Sequence, residues 1–319
     1  MSILRGANCG TAIRQGLSPE MKVLVIHYSQ TGQLTAVLSA LCAPLIEAGA
    51  QVDQLPIAPA TPYAFPWTRM GFFGVFPEAV NGDPVPLQPF EPPIGQYDLI
   101  ILGYTIWYLN PSIPVNSFLR QAQGTSLFRN TPVLTVIGAR NMWVHAQQKV
   151  RALIADLGGK PVGNIVAEDR SSNMVSLVTI IRWMFWGRKD AFLFFPPAGI
   201  READIAANAR FAPVILEHLR SRNWDGFNSR LLALGSARIK PALLVLEKRA
   251  LVLFGKYRAF ILAKADRDPG SRERRVATFS VVLPIGAFIL SPITALSTFL
   301  VSLFKRKAIE REVNELLRY

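Results

Sequence analysis

The sequence predicts an α/β chain: a doubly wound parallel sheet of five strands, followed by a helical, membrane-associated extension. Three observations carry this reading. Five short apolar runs alternate with helical spacings between residues 21 and 219. The first run passes directly into a polar loop and then a helix. Beyond about residue 226 the pattern changes to basic helical segments and one long uncharged run.

Residues 21–35 organise the rest. Val23, Leu24, Val25 and Ile26 suit a strand buried on both faces of a parallel sheet. Ser29, Gln30, Thr31, Gly32 and Gln33 follow as a tight polar loop, and Leu34, Val37, Leu38, Leu41 and Leu45 recur at helical spacing. Such a loop can hold a phosphate: its amides and hydroxyls point at the anion, and the helix N-terminus adds a positive dipole. It lacks the glycines and lysine of a Walker loop and the three-glycine dinucleotide fingerprint. An ordinary strand–helix turn is the alternative.

Composition narrows the class. At 319 residues the chain can hold one large domain plus additions. Half the residues are hydrophobic and the net charge is +13; mean hydropathy is +0.25. That combination points to an anionic membrane surface at least as much as to nucleic acid. Zinc-finger spacings and an RNA-binding sheet signature are both missing, which makes nucleic acid the lesser reading. Cys9 and Cys42 make no disulfide framework and suit a reducing compartment. Three histidines without ligand spacing argue against a catalytic metal.

Residues 1–20 have no continuous apolar core and read as a disordered tail, not a secretory signal. Ala50–Leu55 is the second strand. Residues 56–93 are rich in proline and aromatics, so they are not a disordered linker. They form either a cap on the sheet edge or a wall of an apolar pocket. Tyr97–Gly103 is the third strand. Trp107 and Tyr108 follow it, and Pro114 and Phe118 open a helix. Pro132–Gly138 is the fourth strand, followed by Arg140 and Asn141 and a helix carrying Val144, Gln148, Val150, Leu153 and Ile154. His145 is a candidate proton carrier, with a structural role as the alternative. Gly163–Ala167 is the fifth strand, and Ala203–Leu219, with Pro213 inside it, is the last helix of this domain.

Residues 174–197 are strongly apolar but interrupted by Arg182, Arg188, Lys189 and Asp190, which is too broken for a spanning helix. They cover a long apolar substrate, touch lipid, or add core. Residues 236–264 read as one or two basic amphipathic helices. Val276–Phe304 carries no charge and lies between Arg272, Arg274, Arg275 and Lys305, Arg306, Lys307. It is long enough to span a bilayer. Pro284 and Pro292 divide it, so a re-entrant hairpin suits it as well as a tilted span, with a buried helix as the third reading. The boundaries are 1–20 tail, 21–225 sheet domain, 226–275 basic helical region, 276–304 hydrophobic membrane segment and 305–319 basic tail. The expected location is the cytoplasmic face of the inner membrane.

The loop from Ser29 to Leu34 resembles the phosphate loop of flavodoxin-like proteins, Ser/Thr-x-Thr-Gly-x-Thr, which wraps the phosphate of FMN. Ser29, Thr31 and Gly32 match; the last Thr falls on Leu34, with Thr35 one place late. Trp107 and Tyr108 match the aromatic places beside the flavin ring, and Arg140 and Asn141 stand in the third loop that borders it. The resemblance implies strand order 2-1-3-4-5 with FMN at the switch point. It implies Ser29, Gln30, Thr31, Gly32, Gln33 and Leu34 at the phosphate. Thr105, Trp107 and Tyr108 would meet the ring, and Arg140 and Asn141 its polar edge. Core packing for the two rings, and a carboxylate partner for Arg140, are the alternatives. Tyr104 and His145 are the candidate catalytic residues.

A closer resemblance covers about residues 21–260. The segments Val-Leu-Val-Ile-His-Tyr-Ser-Gln-Thr-Gly-Gln-Leu, Phe-Pro-Trp-Thr, Leu-Gly-Tyr-x-x-Trp-Tyr-Leu-x-Pro-Ser-Ile-Pro-x-Asn-Ser-Phe-Leu and Val-Ile-Gly-x-Arg-Asn-Met-Trp look like bacterial proteins labelled dialkylresorcinol condensing enzyme. The chain has no ketosynthase Cys–His–His set. The resemblance therefore implies an FMN-dependent oxidoreductase of aryl-lipid biosynthesis that aromatises an alkylated cyclohexane-1,3-dione. A ketosynthase and an acyl-carrier protein would be its pathway partners. The alternative is a non-enzymatic, membrane-anchored scaffold or electron carrier, which Leu34 at a hydroxyl position favours.

Overall fold

A computed structural model describes residues 21–91, 95–122, 125–263 and 268–319; within its longest helix it describes the side chains of 270–286, 297, 301 and 304. Six strands are present among the described residues: β1 (Lys22–His27), β2 (Gln51–Pro56), β3 (Leu99–Trp107), β4 (Asn110–Pro111), β5 (Pro132–Ala139) and β6 (Lys160–Glu168). The five long strands are parallel in the order β2-β1-β3-β5-β6, and β4 pairs antiparallel with the end of β3. With the two-residue β4 set aside, this is the 2-1-3-4-5 order of flavodoxin-like folds, whose switch point lies between β1 and β3. The apolar run Val23–Ile26 is fully buried, as a central strand covered on both faces requires.

The helices are α1 (Gln33–Glu47), α2 (Arg69–Gly74), α3 (Phe76–Asn81), α4 (Ile113–Gln121), α5 (Val144–Asp156), α6 (Asn173–Trp186), α7 (Glu202–Ala206), α8 (Ala212–Ser221), α9 (Phe227–Ala233), α10 (Pro241–Leu262), α11 (Pro269–Phe304) and α12 (Arg306–Leu316). Alternation along β1 sorts the core into two layers. Val23 and Val25 pack with Leu41 of α1 and Ile215 of α8. Leu24 and Ile26 pack on the other face with Phe118 of α4 and Ile154 of α5. A third cluster joins Phe73 and Phe76 to Ile261 of α10 and Phe279 of α11.

Several boundaries differ from the sequence reading. β3 runs past Gly103, because Tyr104 and Thr105 still pair with Ile137 and Gly138. Tyr108 and Leu109, at φ 49° and 65°, then turn the chain into β4. Two left-handed residues match the twist of a tight hairpin. Pro213 lies in the first turn of α8 rather than inside a helix, after a 3-10 segment at Ala207–Phe211; proline is tolerated there because that N–H has no partner to lose. The basic region folds as one helix, α10.

The C-terminal segment is also corrected. α11 is a continuous helix of 36 residues through Pro284 and Pro292, not a re-entrant hairpin. Among the described residues no helix is long and apolar enough to cross a membrane. The basic tail folds back: Ile309 of α12 is buried, Asn228 donates to Leu317 O at 2.7 Å, and the Tyr319 hydroxyl meets Gln147. Residues 1–20, with Cys9, lie outside the described residues. Cys42 is buried, which pushes its thiol up to about 12.

Candidate functional site

A cavity of about 1750 Å³ opens at the C-terminal ends of β1, β3 and β5. Parallel strands all end on one side, so their loops converge at the switch point. The loops after these strands form its floor. The aromatic excursion, α6, α10 and α11 form its walls. Phe65, Trp67, Phe72 and Phe73 of the excursion are lining residues, so that stretch is a pocket wall.

The first loop is built around Gly32. It caps α1 at φ 79°, and a Cβ there would meet nothing within 4 Å, so conformation rather than space calls for glycine. The N-cap glycine has no side chain to cap α1, and a helix start favours an anion. Ser29 Oγ accepts from Thr35 N at 3.4 Å, and Thr31 and Gly32 are exposed. The two glutamines do other work than the sequence suggests. Gln30 donates to Ala64 O at 3.0 Å and accepts from Trp67 Nε1 at 3.1 Å. Gln33 donates to Ile200 O at 2.9 Å and accepts from Ile200 N at 3.2 Å. Their side chains staple the loop to its walls and are not available to a phosphate. Leu34 is 1% exposed and packs into the sheet core, so the expected hydroxyl is missing there. Thr68 and Arg69, which the sequence reading passed over, line the same cavity.

In the second loop, Thr105 Oγ1 is buried with no partner and lines the cavity. Trp107 stands edge-on to Tyr28, Tyr63 and Trp67, with ring centroids 6.0, 4.9 and 5.5 Å away. Such edge-to-face contacts fix a ring's orientation. Tyr108 lines the cavity, but its hydroxyl donates to Phe72 O at 2.8 Å.

In the third loop, Arg140 donates to Asn173 O at 3.0 Å and Ser176 Oγ at 3.2 Å. Burial lowers the pKa of its guanidinium, and the nearby Asp169 carboxylate opposes that shift. Arg140 lines the cavity, and its hydrogen bonds go to Asn173 and Ser176, with the Asp169 carboxylate near enough to act on it electrostatically. Asn141 donates to Asn173 Oδ1 at 2.8 Å, while its own Oδ1 is buried without a partner. Asp169, just beyond β6, also lines the cavity. Its Oδ1 accepts from Ser171 N at 2.9 Å, and its Oδ2 is buried and unpartnered. The sequence signal for Asp169 was its place at the end of the fifth strand.

The two candidate catalytic residues are elsewhere. Tyr104 is fully buried, and its hydroxyl donates to Gln147 Oε1 at 2.5 Å. Gln147 in turn donates to Thr135 Oγ1 at 2.8 Å. Tyr104 belongs to this core network because it still lies in the paired part of β3, opposite Ile137, and points into a layer, not the loop cluster. His145 lies on α5, where its backbone N–H donates to Glu247 Oε1 at 2.7 Å. Burial, and then Lys149, lowers the imidazole pKa. Neither residue lines the cavity. Among the described residues no His, Cys, Asp and Glu cluster could hold a metal ion.

No family model matches the sequence, and no curated protein does. Solved structures with a similar shape include a flavoprotein from Bacteroides eggerthii, 20% identical, with TM-score 0.38, covering 50% of this chain and 96% of that one. Another is a flavoprotein from Lactobacillus acidophilus in complex with FMN, 14% identical, with TM-score 0.38, covering 46% and 93%. A flavodoxin from the Archaea is 12% identical, with TM-score 0.33, covering 63% and 99%. Strand order and register, not these scores, define the class: a flavodoxin-like doubly wound domain.

Proposed function

We propose that this protein is an FMN-dependent oxidoreductase of aryl-lipid biosynthesis that aromatises an alkylated cyclohexane-1,3-dione to a dialkylresorcinol. One observation carries the reading. The switch-point loops and an apolar helical wall line one continuous open cavity of about 1750 Å³, where one small-molecule site takes roughly 300–1,000 Å³. There is room for a flat cofactor and for a second, apolar ligand. A bare scaffold has no use for that space.

The lining residues fit FMN. Thr31 and the N-terminus of α1, where Ser29 beside the cavity takes the Thr35 N–H, suit its phosphate. The fixed Trp107 edge suits its ring. Thr105 Oγ1 and Asn141 Oδ1, both buried and unpaired, suit its polar rim, since such atoms cost free energy until they meet a partner. Arg140 supplies positive charge beside that rim. Bound flavin supplies a two-electron acceptor: the dione loses one hydride and one proton to become a resorcinol, and dioxygen or another acceptor completes the cycle. Leu177, Ile181 and Phe185 of α6 and Leu246 of α10 hold the alkyl tails and exclude water. Asp169 is the only carboxylate among the described lining residues, and we assign it the departing proton. A ketosynthase and an acyl-carrier protein would supply the dione.

The test is direct. Full-length, FMN-loaded protein is incubated in air with a dialkyl-cyclohexane-1,3-dione, and products are followed by mass spectrometry. The expected product is two hydrogens lighter than the substrate. Asp169→Asn should keep its flavin but lose about a hundredfold or more in turnover, the scale of one proton-transfer group. A flavin-loaded protein that neither forms the resorcinol nor is bleached by the dione without air would contradict the enzyme and leave the electron carrier.

A further inference from the structure

The cavity does not end in solvent-polar surface. Three of its lining residues, Trp186, Leu253 and Val282, are themselves 66%, 42% and 43% exposed, so they form its rim. The apolar surface continues outward from them. Beyond Trp186 the chain forms a projecting tip at Leu193 and Phe194, which are 89% and 85% exposed. On α10 and α11 the exposed apolar surface extends to Val252, Val281 and Ile285. Among the described residues, nine of the fifteen large exposed hydrophobic residues fall within 186–194 and 252–285, so this surface is concentrated rather than scattered.

The tip is built, not loose. Phe192 and Phe195 exchange backbone hydrogen bonds of 3.2 and 2.8 Å, and their rings stack at 4.9 Å. The Arg182 guanidinium lies 4.5 Å from the Phe192 ring centre. Leu193 is held at φ 51°, a conformation that branched apolar residues rarely adopt. Two large side chains are thus presented to the outside by a constrained turn.

Charge says what covers this surface. Between residues 248 and 285 there are nine Lys and Arg against three Asp and Glu. Lys248, Val252, Lys256 and Phe260 repeat every four residues, which places cations and apolar groups on one face of α10, with Lys248 paired to Glu312 of α12. Arg188 stands exposed between Trp186 and the tip. Aromatic and aliphatic groups mixed with cations on one face suit the boundary between headgroups and acyl chains of an anionic bilayer.

We infer that the protein docks on an anionic lipid bilayer through the Leu193–Phe194 tip and the outer face of α10–α11, with the cavity rim turned to the lipid. A lipophilic ligand then passes between bilayer and cavity without crossing water. The docking stands independently of the cofactor, because it is read without flavin turnover.

Flotation of the full chain with vesicles tests it. The vesicles are phosphatidylcholine alone, or phosphatidylcholine with phosphatidylglycerol. Binding is expected on the mixed vesicles, at least tenfold stronger than on the neutral ones. Leu193→Glu/Phe194→Glu and Val281→Glu/Ile285→Glu change exposed positions that do not line the cavity. Each should weaken binding at least tenfold while circular dichroism is unchanged. Ile46→Glu, 55% exposed on α1, should bind as the parent does. The Trp emission of the parent should shift to the blue on the mixed vesicles. Three results would overturn the inference: no binding to mixed vesicles, equal binding by both double variants, or concentration-dependent self-association that the same variants abolish without vesicle binding.

Discussion

A buried hydroxyl commits a tyrosine to one partner. Tyr104 spends its O–H on Gln147 Oε1, which has no water to turn to when that donor is lost. Tyr104→Phe should lower stability by about 1–3 kcal/mol, the cost of one unsatisfied buried acceptor. It should leave flavin binding and dione turnover unchanged. Denaturant unfolding and the turnover assay together check this, and a loss of turnover with unchanged stability would return Tyr104 to the reaction. Residue types were legible here and contacts were not. The hydroxyls of Ser29 and Thr31 and the glycine between loop and helix are visible in the sequence itself. The commitment of Gln33 is not, because its partner Ile200 is 167 residues away. Asp169 was passed over although it stands just beyond a strand end, because only folding shows that it lines the cavity.

Among the elements, α10 is tied to the sheet domain by one carboxylate. Glu247 is 2% exposed, and its Oε1 accepts the His145 N–H at the start of α5. Burial raises its pKa from 4.5 to about 7, against the opposing effect of the backbone N–H groups it accepts from. The folded protein therefore keeps a proton that the unfolded chain releases. Its contribution to stability is full below pH 4.5 and falls as pH rises from 4.5 to about 7. The expected loss across that window is on the order of 3 kcal/mol. Thermal unfolding between pH 4.5 and 8 checks it: Glu247→Gln should flatten this part of the profile, and an unchanged slope would show that other groups set it. β1, β3 and β5 were legible because their apolar runs are local, whereas β2, Gln-Val-Asp-Gln-Leu-Pro at the sheet edge, has no such run. Continuity of α11 was not legible, since Pro284 and Pro292 each remove a helix donor. A proline's local cost does not reveal the packing of α11 against α2 and α10 that accompanies the unbroken helix.

At the scale of the whole molecule, the C-terminal third completes the sheet domain rather than trailing from it. α10 and α11 close the cavity wall, and Tyr319 reaches back to Gln147 while the Arg151 guanidinium lies 4.2 Å over its ring. The sequence showed this third as hydrophobic and basic, but periodicity alone does not say which surface it covers. Everything proposed for the cavity depends on a flavin occupying the switch point. The deciding measurement is an FMN titration of the full-length protein, followed by desalting and a visible spectrum. Wild type should retain flavin in equimolar amount. Gly32→Ala forces a Cβ into the left-handed region, at about 1–2 kcal/mol of strain. A loop that shifts to relieve it should bind FMN about tenfold more weakly, or about 1.4 kcal/mol. A colourless wild-type protein after saturation with FMN would contradict the flavin site itself and leave a scaffold with an apolar cavity.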